Sequence, residues 1–268
     1  MSTAKGQVAD LQQEKMEFLR TIRATEVDRP DAPAAYWAFV EYLEKSCTRP
    51  AHYVRYCQTF LSLAPFLEHV SGGTLVETGG FCDISLFLRT QGFDCRRTNG
   101  DLRYAIDLRD AAADIVLSLE VIEHIKDQAE DTIDDIVLFR ETGVRQYVKE
   151  MQRVLKPGGI LILTTPNPCS IRALEQLVSH KPPMVFRPHV REYSRDELLQ
   201  LFAAMDVLEA KTHFSFFHLA RRNRNRWVEL LERNGWDSSH RGDDHFMVFR
   251  KREVGRSRGT IGVTEEGP

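Results

Sequence analysis

The stretch Asp114-Ile115-Val116-Leu117-Ser118-Leu119-Glu120-Val121-Ile122-Glu123-His124 decides the reading of this chain. Its first six residues form a short apolar run rich in β-branched side chains and bounded by charge. Such a run is the pattern of a strand covered on both faces, as in a parallel sheet. Two glutamates and a histidine follow at its carboxyl end, the side on which open α/β sheets bind their ligands.

Short apolar runs alternate with helical patterns on either side of this strand, the signature of an α/β fold. Upstream, a strand over 74–77 runs into Gly79-Gly80, then a helix over 83–91 and a second strand over 93–97. Downstream, a helix is expected to begin over 120–126, and an amphipathic helix spans 146–155. Lys156-Pro157-Gly158-Gly159 makes the turn into a strand at 160–164, because proline and glycine punctuate chain direction. Strands at 207–214 and 246–251, with a basic helix between them, close the pattern. The acidic stretch 127–135 reads as a solvated loop.

Before residue 70 the periodicity is helical: Met16, Leu19 and Ile22, then Tyr36, Phe39, Val40 and Leu43, with a break at Arg29-Pro30-Asp31. A further helix over 53–70 stops at Ser71-Gly72-Gly73. The expected division is an N-terminal helical extension or lid over 1–70, an α/β domain over 71–252 and a polar tail over 253–268.

The 268 residues carry a net charge of -3, which gives no global basic field toward nucleic acid. The five cysteines form no CxxC pair, which argues against a zinc ribbon and for reduced thiols. No apolar run approaches the length of a membrane span, and the first residues hold no apolar secretory core. A cytoplasmic enzyme is the expectation.

Three ordered segments carry a family resemblance: Leu75-Val76-Glu77-Thr78-Gly79-Gly80, the stretch Asp114 to His124, and Val154-Leu155-Lys156-Pro157-Gly158-Gly159-Ile160-Leu161-Ile162-Leu163-Thr164-Thr165-Pro166-Asn167, followed by His189-Val190-Arg191-Glu192-Tyr193-Ser194. Over roughly residues 70 to 250 the chain resembles the class I S-adenosylmethionine-dependent methyltransferases. The resemblance implies a doubly wound, seven-stranded Rossmann-like sheet and S-adenosyl-L-methionine as cofactor. It places Glu77, Gly79 and Gly80 at the methionine end and Asp101 on the ribose hydroxyls. Asp107 falls near the adenine, with Ser118 and Glu120 completing the cofactor set. Asp101 and Asp107 read equally as solvated turn residues. The sequence departs from the family at Phe81-Cys82-Asp83, where a second glycine is usual; a phenylalanine there would crowd the cofactor or force the loop outward.

Glu120, Glu123 and His124 stand at i, i+3 and i+4, which puts them on one face if the segment is helical. With His189 they resemble the metal-assisted members of the family, the quinone-pathway phenol O-methyltransferases and the small-RNA terminal 2′-O-methyltransferases. That similarity implies Mg2+ or another divalent cation on Glu120, Glu123, His124 and His189. Without metal, His124 or His189 is the expected general base, since imidazole titrates near neutrality. The plainer alternative is that the glutamates only meet a helix dipole and His124 packs under the sheet. The expected activity is O-methylation of a small-molecule, sugar or glycan-precursor acceptor. The alternatives are RNA 3′-terminal 2′-O-methylation, with nucleic acid as partner, and a non-catalytic binding protein that kept the fold.

Overall fold

The structure, a computed structural model, describes residues 22–46, 52–70, 72–129, 140–183, 188–215 and 221–253. Met16 and Leu19, Cys47, Phe216 and Phe217, most of the acidic stretch and all but the first residue of the expected tail lie outside them.

The elements are α1 (Ala34–Ser46), α2 (Tyr53–Leu67), β1 (Thr74–Glu77), α3 (Asp83–Thr90), β2 (Asp94–Arg97), β3 (Ala113–Leu119), α4 (Thr142–Val154), β4 (Leu155–Pro166), α5 (Ile171–Val178), α6 (Arg195–Leu201), β5 (Asp206–His213), α7 (Arg221–Arg233) and β6 (Asp244–Arg250). The strands form one mixed sheet in the order β2-β1-β3-β4-β6-β5. Its first four strands are parallel, and β6 runs antiparallel to both β4 and β5. This is the α/β architecture expected, with six strands among the described residues instead of seven. The missing strand would fall between β2 and β3, where residues 98–112 carry turns alone. That segment must return from the carboxyl end of β2 to the amino end of β3. A parallel crossover already takes a dozen or more residues, which leaves no length for another strand.

Strand alternation divides the core. Leu75, Ile115, Leu117, Ile160, Ile162, Phe246 and Val248 face one apolar cluster, which α1, α2 and α3 cover. Val76, Val116, Leu161, Leu163, Met247 and Phe249 face a second, under α4 and α6. Residues two apart share a face, so runs that are apolar throughout are what a sheet covered on both sides requires. The helices α1 and α2 belong to this core: Phe39 stacks on Phe60 at 4.2 Å between ring centroids and meets Phe87 of α3 edge-on at 5.2 Å.

Two local expectations change. Lys156-Pro157-Gly158-Gly159 is part of β4, which starts at Leu155 and shifts register against β3 between Ala113 and Ile115. Gly158 supplies a φ of +77°, and a Cβ on Gly159 would lie 2.9 Å from the Lys156 carbonyl and 3.0 Å from that of Asp114, so the irregularity needs both glycines. The helix expected over 120–126 is not there: Ile122–His124 make one 3-10 turn. Glu120 is left-handed at φ 58°, and the amides of Val190 and Arg191 take the Glu123 carbonyl that a continuing helix would use.

Candidate functional site

The carboxyl end of β1 turns sharply. Gly79 has φ +81° and Gly80 φ +113°, a region that favours glycine. A Cβ on Gly79 would come within 2.9 Å of Val121 Cγ2, so this loop lies directly against the chain leaving β3. Glu77 is buried and shapes the loop by accepting from the Cys82 amide at 3.0 Å and from the Ser85 hydroxyl. Burial pushes its carboxyl up, while Ser85 and Cys82 pull it back. The half-buried Phe81 ring lies under the exposed Arg89 guanidinium of α3, 5.3 Å away.

Asp101 and Asp107 come together with Asn99 and Tyr104 around one open cleft of about 760 Å³. Asp101 accepts from Arg103 at Nε and Nη2, and that guanidinium holds its carboxyl below the usual range. Ser118 is not in this cleft. Its hydroxyl is buried and lies 2.9 Å from the Tyr147 phenol, which also bonds Thr78.

At the end of β3, Glu123, His124 and His189 bring one potential ligand atom each within 4.8 Å of one another. Glu123 is fully buried; it accepts from Thr165 Oγ1 at 2.9 Å, and its other oxygen has no hydrogen-bond partner. Burial, with Glu120 nearby, raises its carboxyl well above the ordinary range. The His124 ring, half-exposed, meets the His189 ring edge-on at 4.8 Å, and burial and His189 lower its pKa. His189 Nδ1 lies 2.7 Å from Glu192 Oε1, a carboxylate partner that orients the imidazole. The loop carrying His189 is held by the Val190 amide on the Glu123 carbonyl, so β3 and a residue far downstream form one unit.

Glu120 stands apart from this group. Its left-handed backbone turns the carboxylate toward α2, where Arg55 Nη1 lies 3.0 Å away. Asp244, fully buried at the start of β6, sits electrostatically beside the same pair; burial and then Glu120 push its carboxyl well up, against Arg55. The sequence reading missed both Arg55 and Asp244. The available signals were an arginine within the apolar α2 pattern and an acid heading the apolar strand β6. Asn167 is a clip: its amide donates to the carbonyls of His240 and Gly242. Tyr36 is core, its hydroxyl on the Val27 carbonyl.

The glycine loop, the acid-lined cleft and the Glu123 group all lie toward the carboxyl ends of parallel strands, the binding side of such sheets. The set Glu123, His124, His189 suits a divalent cation that accepts mixed oxygen and nitrogen ligands. The orphaned buried oxygen of Glu123 is what such an ion would satisfy. Among the described residues no helix is long and apolar enough to cross a membrane, and Cys57, Cys82, Cys95 and Cys169 are in no disulfide.

A family model described as a methyltransferase domain matches residues 84–207. Over 62 residues, 23% of the chain, the sequence is 39% identical to a Mycolicibacterium smegmatis protein named a probable S-adenosylmethionine-dependent methyltransferase. The match spans 18% of that relative's length. Among solved structures, an S-adenosylmethionine-dependent methyltransferase from Mesorhizobium loti aligns over 72% of this chain and 98% of its own, at 13% identity and a TM-score of 0.44. One from Archaeoglobus fulgidus aligns over 81% and 99%, at 12% identity and a TM-score of 0.45.

Proposed function

From the class I methyltransferase domain that this chain carries, we propose that it is an S-adenosylmethionine-dependent enzyme methylating a hydroxyl oxygen of a small acceptor, with a divalent cation at Glu123, His124 and His189. The observation that carries the oxygen chemistry is the convergence of that acid and two imidazoles beside the Gly79 turn.

Gly79 and Gly80 let the backbone approach the methionine end of the cofactor, Glu77 sets the shape of that loop, and Asp101 and Asp107 offer carboxylates to the adenosine end. When bound, the cofactor supplies a sulfonium methyl for in-line displacement, so alignment is the main task left to the protein. A cation on Glu123, His124 and His189 would lower the acceptor hydroxyl's pKa. Without the cation, His124, whose pKa burial and His189 lower, would instead take the acceptor proton as general base. Arg55 fixes Glu120 at the edge of this space and anchors α2 over it. RNA end modification is less well supported: Arg224, from the basic cluster of α7, turns inward to pair with Glu26.

Equilibrium titration with S-adenosylhomocysteine tests the cofactor reading, and no binding at millimolar ligand would end it. For the cation, Mn2+ titration followed by paramagnetic resonance separates wild type from Glu123→Gln. The variant keeps an acceptor for Thr165 and relieves a disfavoured buried charge, so its thermal midpoint should not fall. Its Mn2+ affinity should drop by roughly tenfold or more, in the range of lost metal-site partners; unchanged affinity would remove the ion from this site.

A further inference from the structure

A cavity of about 530 Å³ lies beside the site just described, between α2, β5, α7 and the segment before α1. Its walls are apolar at Tyr36, Leu61, Phe214 and Val228, and its charged groups are Arg29, Lys211 and Arg224 against the single carboxylate of Glu26. We propose that this cavity binds the anionic group, carboxylate or phosphate, of a small organic acceptor and so directs its hydroxyl to the Glu120 end of β3. This rests on the methyltransferase reading and names its substrate class.

Arg224 is the built element. It is nine-tenths buried, its Nη2 donates to Glu26 at 2.8 Å, its guanidinium lies 5.0 Å from the Phe214 ring centroid, and its Nε has no hydrogen-bond partner. A guanidinium held by one carboxylate and an aromatic face keeps donors for a second anion, and its fork suits carboxylate and phosphate alike. Lys211 pairs with Glu209 at 2.5 Å and still keeps part of its side chain in solvent, where its ammonium can meet a second anion. His213 adds no charge: burial and then Lys211 lower its pKa to about 3, and its Nε2 lies 2.9 Å from Ser62 Oγ. The charged groups of the cavity are thus mostly cationic, three against one carboxylate, set among neutral polar and apolar walls, which fits an organic anion better than a free sugar.

Two continuities join it to the reaction centre. Arg55, Gln58 and Ser62 fall on one face of α2; the first holds Glu120 and the other two line the cavity. On the sheet, His213 of the cavity pairs in register with Asp244 beneath Glu120. Along α2, Gln58 of the cavity stands about one helical turn from Arg55 of the reaction centre.

The test uses the full chain with phenyl phosphate, benzoate and neutral benzyl alcohol as probes, beside S-adenosylhomocysteine. Calorimetric titration should show one or both anions binding about tenfold or more tighter than the alcohol. Lys211→Gln should weaken the anion by about tenfold and leave S-adenosylhomocysteine affinity unchanged. Arg224→Gln leaves Glu26 buried without its partner, so the double variant Glu26→Gln/Arg224→Gln accompanies it and should lose the anion as well. Phosphate and benzoate arms tell which anion the cavity prefers. Equal binding of anion and alcohol, indifference to these variants, or no anion binding by a chain that binds S-adenosylhomocysteine would overturn the proposal and leave the cofactor reading standing. Anion binding lost in the variants, with no S-adenosylhomocysteine binding, would uphold the cavity and overturn the cofactor reading.

Discussion

Gly79 combines two constraints, a φ of +81° and a Cβ position 2.9 Å from Val121 Cγ2. Gly79→Ala should therefore strain the loop by roughly 1–3 kcal/mol and push β1's turn away from β3, weakening S-adenosylhomocysteine binding by about tenfold or more. Calorimetric titration decides it, and an unchanged affinity would mean that the cofactor does not use this loop. Phe81 behaves differently. Its ring is half-buried and packs against the Arg89 guanidinium of α3. Glu120 shows why motif spacing misleads at this scale. Three residues at i, i+3 and i+4 share a face only if the backbone is helical, and a left-handed φ at the first of them sends its side chain to Arg55 instead.

At the scale of elements, α1 and α2 are built into the same apolar cluster as one face of the sheet. Phe39 is fully buried between Phe60 and Phe87. Phe39→Ala should cost about 3–5 kcal/mol, and because the helices share the sheet's core, urea unfolding should remain a single transition. A separate early transition for the helices would show them to be an independent lid. The same packing explains how α2 serves function: its buried face secures the helix, and its Arg55, Gln58 and Ser62 row is left to line the space over β3 and β5.

For the molecule as a whole, buried histidines set a dependence on acid. His245 in β6 is buried, with Nε2 3.1 Å from the Tyr193 carbonyl, and burial lowers its pKa to about 4. Between that value and the unfolded value near 6.5, the unfolded chain binds the extra proton, so this residue's contribution is complete above about pH 6.5 and is lost as pH falls toward 4. At pH 5 the loss amounts to about 2 kcal/mol. Glu123 and Asp244, whose carboxyls are raised, act in the opposite direction, so the contribution is read as a difference. His245→Gln should narrow the gap to wild type by about that amount between pH 7 and pH 5 in urea titrations. A gap independent of pH would mean that His245 takes up its proton in the folded chain as readily as in the unfolded one.

The sequence by itself determined the α/β class, the placement of β1, β3, β4 and β6, and the glycine turn, because these rest on local signals. Runs such as Ile115 to Leu117 and Ile160 to Leu163 suit a sheet covered on both faces and little else, and Gly79-Gly80 directly after such a run marks a turn. It also picked out Glu123, His124 and His189, whose residue types suit a ligand set before their geometry is known. Only the tertiary structure decided that Glu120 leaves that set, that Ser118 turns to Tyr147, and that Arg55, Asp244 and Arg224 matter. Those outcomes depend on contacts between residues far apart in the chain, such as Arg55 with Glu120 and Arg224 with Glu26. Side-chain direction at a strand's end is set by one backbone angle and by whichever charge the fold brings opposite, and neither is written in the spacing of a motif.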